Sequence, residues 1–301
     1  MERTIVNIES VDQFNKYYGY ETRHPLVSIV DLSKSNNSMD HVQINYGIYA
    51  MFLKETKACT ITYGRQKYDY DDGTMVSFAP GQTVTFDAVP GVPRIKSLGL
   101  VFHPDLIRGT NLGKTIHDYT FFSYFSNEAL QLSQDEHDII LDCFNKIAKE
   151  IEHGVDKHSR TLITMNIELL LNYCMRCYDR QFITREKANK GLLVKFESLL
   201  NDYFEGDTAE QKGLPTVKYF ADKICLSPNY FGDMVKKETG KTAIEHIQAK
   251  LTDLAKERVL DDSKTISEVA YELGFQYPQH FGRFFKQRVG CTPKEYRNSY
   301  A

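Results

Sequence analysis

The sequence predicts an α+β chain of two units, a β-rich body followed by an all-helical segment. Three observations predict it: short apolar runs broken by turn residues over 41–103, helical periodicity after Pro104, and a helix, turn, helix pattern that occurs twice in the last third. The 301 residues leave room for two cores, since one domain commonly takes roughly 100 to 200 residues.

The β-rich body rests on the runs Tyr46 to Leu53, Cys59 to Tyr63, Thr74 to Phe78, Thr83 to Phe86 and Ile95 to Phe102. Between them lie Tyr70-Asp71-Asp72-Gly73 and Pro80-Gly81, turn chemistry that tolerates positive φ, so antiparallel hairpins closing into a sandwich or barrel are expected.

Beyond Pro104 two helices are predicted, Gln134 to Ile151 and Arg160 to Phe182. Ser133 and Glu136 stand at capping-box spacing before the first. Leu162, Met165, Ile167, Leu169, Leu170 and Tyr173 give the second a wide apolar face. The pair reads as a helical hairpin whose apolar surplus suits the barrel, the contact between the two helices, or a second subunit. A polar, Gly-bearing stretch, Asn201 to Gly213, follows. The expected division is therefore 1–190 for the β-rich unit with its helical hairpin, 191–213 for a linker helix and loop, and 214–301 for the last unit.

In that last unit Val217 to Ile224 is a short helix, Cys225-Leu226-Ser227 a turn, and Pro228 to Thr239 a second helix closed by Gly240. The arrangement returns as Ile266 to Leu273, Gly274 to Tyr277, and Pro278 to Val289 closed by Gly290. Thr242 to Leu260 is a helix of roughly 27 Å, which approaches the roughly 34 Å between major grooves on one DNA face. From Leu214 onward 14 Lys and Arg stand against 11 Asp and Glu, a net +3, whereas the whole chain carries -3 and its remainder therefore -6. The C-terminal unit is the part suited to a polyanion.

Burying Phe281, Phe284, Phe285 and Val289 leaves Gln279, Gly282, Arg283 and Lys286 outward, with His280 beside them. Arg pairs with guanine O6 and N7, and Gln with adenine N6 and N7. In the first copy Tyr230 or Phe231, Met234 and Val235 turn inward and Asn229, Gly232, Asp233, Lys236 and Lys237 outward. Asp233 repels phosphate and Gly232 offers no side chain, so this copy is expected to position more than to specify.

On these residues the segment closely resembles the AraC/XylS family of transcription regulators. The resemblance covers about 85 residues and is carried by Leu226-Ser227-Pro228-Asn229-Tyr230-Phe231, Lys236 to Gly240, Ile266-Ser267-Glu268-Val269-Ala270, Gly274-Phe275, Phe281 to Lys286, and Gly290 to Arg297. It implies a double helix–turn–helix domain, with base-reading positions at Asn229, Gly232 and Asp233 and at Gln279, His280 and Arg283. It further implies an N-terminal cupin-like β-barrel that senses a small-molecule effector, dimerises, and activates transcription through RNA polymerase. Tyr46, Phe52, Tyr63 and Phe78 are the candidate effector-lining residues, with Phe86 beside them, as apolar aromatic pockets go.

Enzyme readings find little support. No Gly-rich phosphate loop, nucleophile elbow or zinc-protease helix occurs, so no catalytic residue is assigned. His41 and His103 are too few to make a metal cupin, and Cys174-Met175-Arg176-Cys177 lacks a second ligand pair, so no metal or cofactor is expected. Two rival readings are a cupin-type enzyme with an appended DNA-binding segment and a ligand-independent protein-interaction regulator. Six scattered cysteines, no basic and apolar leader, and no run of about 18 apolar residues point to a cytoplasmic protein without membrane spans.

Overall fold

The computed structural model describes residues 4–35, 42–54, 59–62, 73–88, 97–125, 128–154 and 156–300. The chain forms two compact units, Met1–Thr184 and Arg185–Ala301, so the stretch 191–213 lies inside the second.

The first unit opens with β1 (Thr4–Ile8), α1 (Val11–Tyr18) and β2 (Val27–Asp31). It continues through β3 (Val42–Tyr46), β4 (Tyr49–Lys54), β5 (Cys59–Thr62), β6 (Thr74–Phe78), β7 (Gln82–Ala88) and β8 (Ser97–Phe102). The short helices α2 (Pro104–Ile107) and α3 (Asn111–Thr115) precede β9 (Leu130–Gln131), α4 (Gln134–Glu152) and α5 (Ser159–Thr184). One sheet has the order β1-β3-β7-β5 and the other β2-β8-β4-β6-β9.

Two expectations are corrected here. The run Tyr46 to Leu53 is two strands, because the chain turns at Gly47-Ile48, where the Gly47 N–H donates to Ile8 O at 2.8 Å. That turn leads from one sheet to the other. So does the turn at 79–81, whose Gly81 N–H donates to Tyr46 O at 2.6 Å. These connections are corners between sheets in place of hairpins, and among the described residues no strand pair joins the two sheets. The result is two facing sheets and not a closed barrel.

Ile44, Tyr46, Val84 and Phe86 from one sheet meet Phe52, Val76, Phe78 and Val101 from the other, with Phe14 and Tyr18 of α1 closing the same core. Gly99 is the small residue that admits Phe52, whose Cε1 lies 2.8 Å from where a Cβ would stand. Ser10 caps α1 through the Gln13 N–H, and Gly19 at φ 79° ends it.

The capping box expected at Ser133 is present, with the Glu136 N–H donating to Ser133 Oγ at 3.3 Å and the Ser133 N–H to Glu136 Oε2 at 2.9 Å. Arg180 of α5 forks onto the same carboxylate at 3.0 and 2.6 Å and so fixes the hairpin. The single apolar face expected for α5 divides into two. Ile163, Ile167, Leu170, Leu171 and Cys174 are buried, while Leu162, Met165 and Leu169 are 44, 61 and 41% exposed.

The second unit is helical: α6 (Glu186–Glu205), α7 (Thr208–Lys212), α8 (Val217–Ile224), α9 (Pro228–Thr239), α10 (Ala243–Val259), α11 (Ile266–Glu272), α12 (Pro278–Val289) and α13 (Pro293–Asn298).

Candidate nucleic-acid interface

The first helix–turn–helix is α8 and α9. Thr216 caps α8 by accepting from the Tyr219 N–H, and Cys225 ends it at φ 64°. The Leu226 N–H then reaches back to Ala221 O at 3.0 Å, the six-to-one bond of a Schellman turn. Ser227, fully buried, caps α9 through the Tyr230 N–H, Pro228 opens that helix, and Gly240 at φ 73° closes it. Tyr230, Phe231, Met234 and Val235 are all buried.

A helix outside the motif completes this core. Phe196 of α6 is fully buried and sets its ring edge-on to Phe220 at 5.2 Å and Phe231 at 5.1 Å. Asn189 of α6 donates to Glu238 of α9 at 3.1 Å. Nothing local in α6 announces this role; an apolar residue on a 20-residue helix reads equally well as packing anywhere.

The second copy repeats the frame. Thr265 and Glu268 form a capping box on α11, Gly274 turns the chain at φ 90°, and the Phe275 N–H reaches Ala270 O at 2.9 Å. Pro278 opens α12 and Gly290 closes it at φ 93°. Phe281 and Phe285 are buried, and Phe284 and Val289 are only half-buried, so the inward stripe is narrower than expected. The repeat also runs further than the sequence reading took it. Thr242 with Glu245 on α10 and Thr292 with Glu295 on α13 are the same capping box fifty residues apart. Hydrogen bonds from the Thr265 and Thr292 backbone, then from their side chains, hold Glu268 and Glu295 below the usual carboxylate range.

The predicted DNA-facing residues fall on two matching lines. Asn229, Asp233 and Lys236 follow one another four and three residues apart on α9, and Gln279, Arg283 and Lys286 do so on α12, each shifted by fifty. Asn229, Lys236, Lys237, Gln279, His280, Arg283 and Lys286 are exposed, and Asp233 is half-buried. His280 packs edge-on to the exposed Tyr277 ring at 5.4 Å. Missed by the sequence reading is Arg288, exposed at the end of α12, whose guanidinium hydrogen-bonds Gln248 of α10. No acidic residue lies in α12, whereas α9 holds Asp233 and Glu238.

The candidate effector residues sit elsewhere, in the first unit. Tyr46 stacks on Phe78 at 5.4 Å, Phe78 meets Phe52 at 6.2 Å and Phe86 at 6.4 Å, and Tyr46, Phe52 and Phe78 are 1, 2 and 5% exposed. The Tyr46 hydroxyl has no hydrogen-bond partner among the described residues, and burial drives its pKa far upward. Tyr63 and His41 lie outside the described residues. His103 Nδ1 accepts from the Asp105 N–H at 3.1 Å and thereby caps α2. Cys174 and Cys177 are buried in α5, where burial pushes the Cys177 thiol up to about 12. Among the described residues no three His, Cys, Asp or Glu side chains gather as a metal site, and no helix is long and apolar enough to cross a membrane.

Two tight-turned helix pairs, each presenting the outward line of its second helix and joined by a single helix, define a double helix–turn–helix DNA-binding domain. Residues 220–299 match the family model described as a helix-turn-helix domain. The transcriptional regulatory protein YesN of Bacillus subtilis is 32% identical over 94 residues, and the HTH-type regulator YobQ of the same organism 32% over 84. These alignments cover 30 and 28% of this chain and 26 and 35% of those relatives, so the chain spans about a quarter to a third of their length. The solved C-terminal domain of the response regulator yesN from Fusobacterium nucleatum is 28% identical with a TM-score of 0.30, over 34% of this chain and 96% of that one. Residues 220–299 thus form an AraC-type helix–turn–helix domain, a kind of domain built to bind double-stranded DNA.

Proposed function

We propose that the chain is a cytoplasmic, sequence-specific transcription regulator in which α12 reads bases and α9 anchors the neighbouring backbone. The observation that carries this reading is the pair of matching outward lines, one of them free of acidic residues. Gln279, His280 and Arg283 contact base edges, Lys286 and Lys236 contact phosphate, and Asn229, Asp233 and Lys237 complete the face of α9.

The regulator works as a homodimer. Support comes from Leu162, Met165 and Leu169, an apolar stripe three and four residues apart on the outer face of α5. An effector acting on the N-terminal unit changes how two DNA-binding units meet their half-sites, and the outcome is activation through RNA polymerase.

The test is binding of the purified chain to fragments of its own upstream region at several salt concentrations, with excess nonspecific DNA. Competitor-resistant binding that weakens steeply with salt is expected. Equal affinity for every fragment would remove the sequence-specific reading.

A further inference from the structure

The first unit carries a groove away from its aromatic core. It has a volume of about 370 Å³ and lies between β2 and the last turn of α4, within the roughly 300 to 1,000 Å³ that small-molecule sites occupy. Ile29, Leu98, Ala148 and Ile151, all half-buried, give it an apolar floor.

The rim selects for charge. Glu152 closes the groove at the carboxyl end of α4, where the helix dipole adds negative potential. Glu21, also on the rim, pairs with none of the described residues. Lys34 is held by Asp31 at 3.2 Å. The remaining cation, Arg23, lies 3.2 Å from Glu152, and the two side chains are 58 and 61% exposed. So exposed a pair contributes little and is exchanged cheaply. Arg23 thus occupies, from the segment between α1 and β2, the place that a ligand's cation would take.

We propose that this groove binds an organic cation, a primary amine or amidine on an apolar stem. The stem lies on Ile29, Leu98, Ala148 and Ile151, and the cation displaces Arg23 from Glu152 and meets Glu21. The proposal rests on the effector-sensing reading and gives the effector a chemistry and a place distinct from Tyr46, Phe52 and Phe78. Binding removes the pin between the 19–26 segment and α4, and α4 belongs to the hairpin whose second helix, α5, is separated from α6 by the single residue Arg185.

The experiment is calorimetry on the full chain without DNA, using phenethylamine and hexylamine beside 3-phenylpropionate and hexanoate. The amines bind and the carboxylates do not. Ala148→Trp fills the groove and abolishes binding, and Glu152→Gln weakens it about tenfold. Arg23→Ala tightens it, which a merely structural ion pair would not do. Circular dichroism and the DNA assay show that each variant is folded.

Preference for the carboxylates, amine binding that survives Ala148→Trp, or no amine binding at millimolar concentration by protein that still binds DNA would each overturn the proposal. Failure of DNA binding with amine binding intact would strike the regulator reading and leave the groove standing.

Discussion

In the first helix–turn–helix the turn is made by Cys225 at φ 64° with its side chain exposed; in the second it is made by Gly274 at φ 90°, pressed against the Gly213 backbone. The outward helices differ in the opposite sense. α9 sets Asp233 where α12 sets Arg283, and only α12 is free of acid. The copy with the more constrained turn is therefore the one to which the proposed function assigns base reading. Holding Arg283 in register on a groove requires its helix to be fixed, whereas a helix that meets phosphate through flexible lysines tolerates a looser mount.

The comparison breaks most readily at Gly274. A Cβ there would lie 2.7 Å from Gly213 C and 2.8 Å from Ala209 O, both backbone, in a conformation that L side chains rarely adopt. Gly274→Ala is expected to cost about 3 kcal/mol or more, read as a lowered urea midpoint for the C-terminal unit. A loss below about 1 kcal/mol would show that the second turn is as loose as the first.

Next in size is the exchange of chemistry between the lines. Arg283→Ala should cost about 1–3 kcal/mol of DNA affinity and relax preference at one base pair. Asp233→Ala at the matching position should leave affinity unchanged or raised, since it removes a charge that repels phosphate. Titration of both variants on one operator set decides it. Equal losses would mean that both copies read sequence.

Much of this frame was legible in the sequence. Pro228 and Pro278, Gly240 and Gly290, and the cap Ser133 are local signals, because helix ends are set by groups within four residues. The outward lines of α9 and α12 followed from the same periodicity. What escaped depends on distant partners. Phe196 becomes a core residue of the first helix–turn–helix only when α6 folds back on it, and no nearby residue records that. The runs that form β4 to β8 were found, but not β1, β2, β3 or β9, nor that Gly47-Ile48 and 79–81 carry the chain between sheets, since a tight turn looks the same whether it closes a hairpin or a corner. The outer stripe of α5 merged with its inner face because apolar residues around most of a helix leave little periodicity to read.

Smaller still is the effect of the glycines that the copies share. Gly232 and Gly282 occupy the same position in α9 and α12, and a Cβ on either would meet nothing within 4 Å. Packing does not require them, yet each costs about 1 kcal/mol against Ala in a helix. On the proposed reading they let the helix surface approach DNA closely beside Asp233 and Arg283. Gly282→Ala should raise the thermal midpoint and weaken DNA binding, two changes of opposite sign from one methyl group. Gly232→Ala should raise stability with a smaller loss of affinity if α9 rides higher on the backbone. A stabilised Gly282→Ala that binds DNA as before would show that the outward line of α12 does not lie against the groove floor.

The smallest effect tests the turn of the first copy from its other side. Cys225 is the one described non-glycine residue with positive φ, and it is exposed, so no packing compensates its strain. Cys225→Gly removes a Cβ from a left-handed conformation at the expense of a more flexible unfolded chain. The two terms leave a net gain of about 0.5–1 kcal/mol, measured by urea unfolding. If that added stability came with sharper sequence preference in the DNA assay, looseness at Cys225 would be what keeps the first copy from reading bases. If preference stayed fixed while stability rose, the limit would lie in Asp233 and Gly232, and the two copies would differ by chemistry alone.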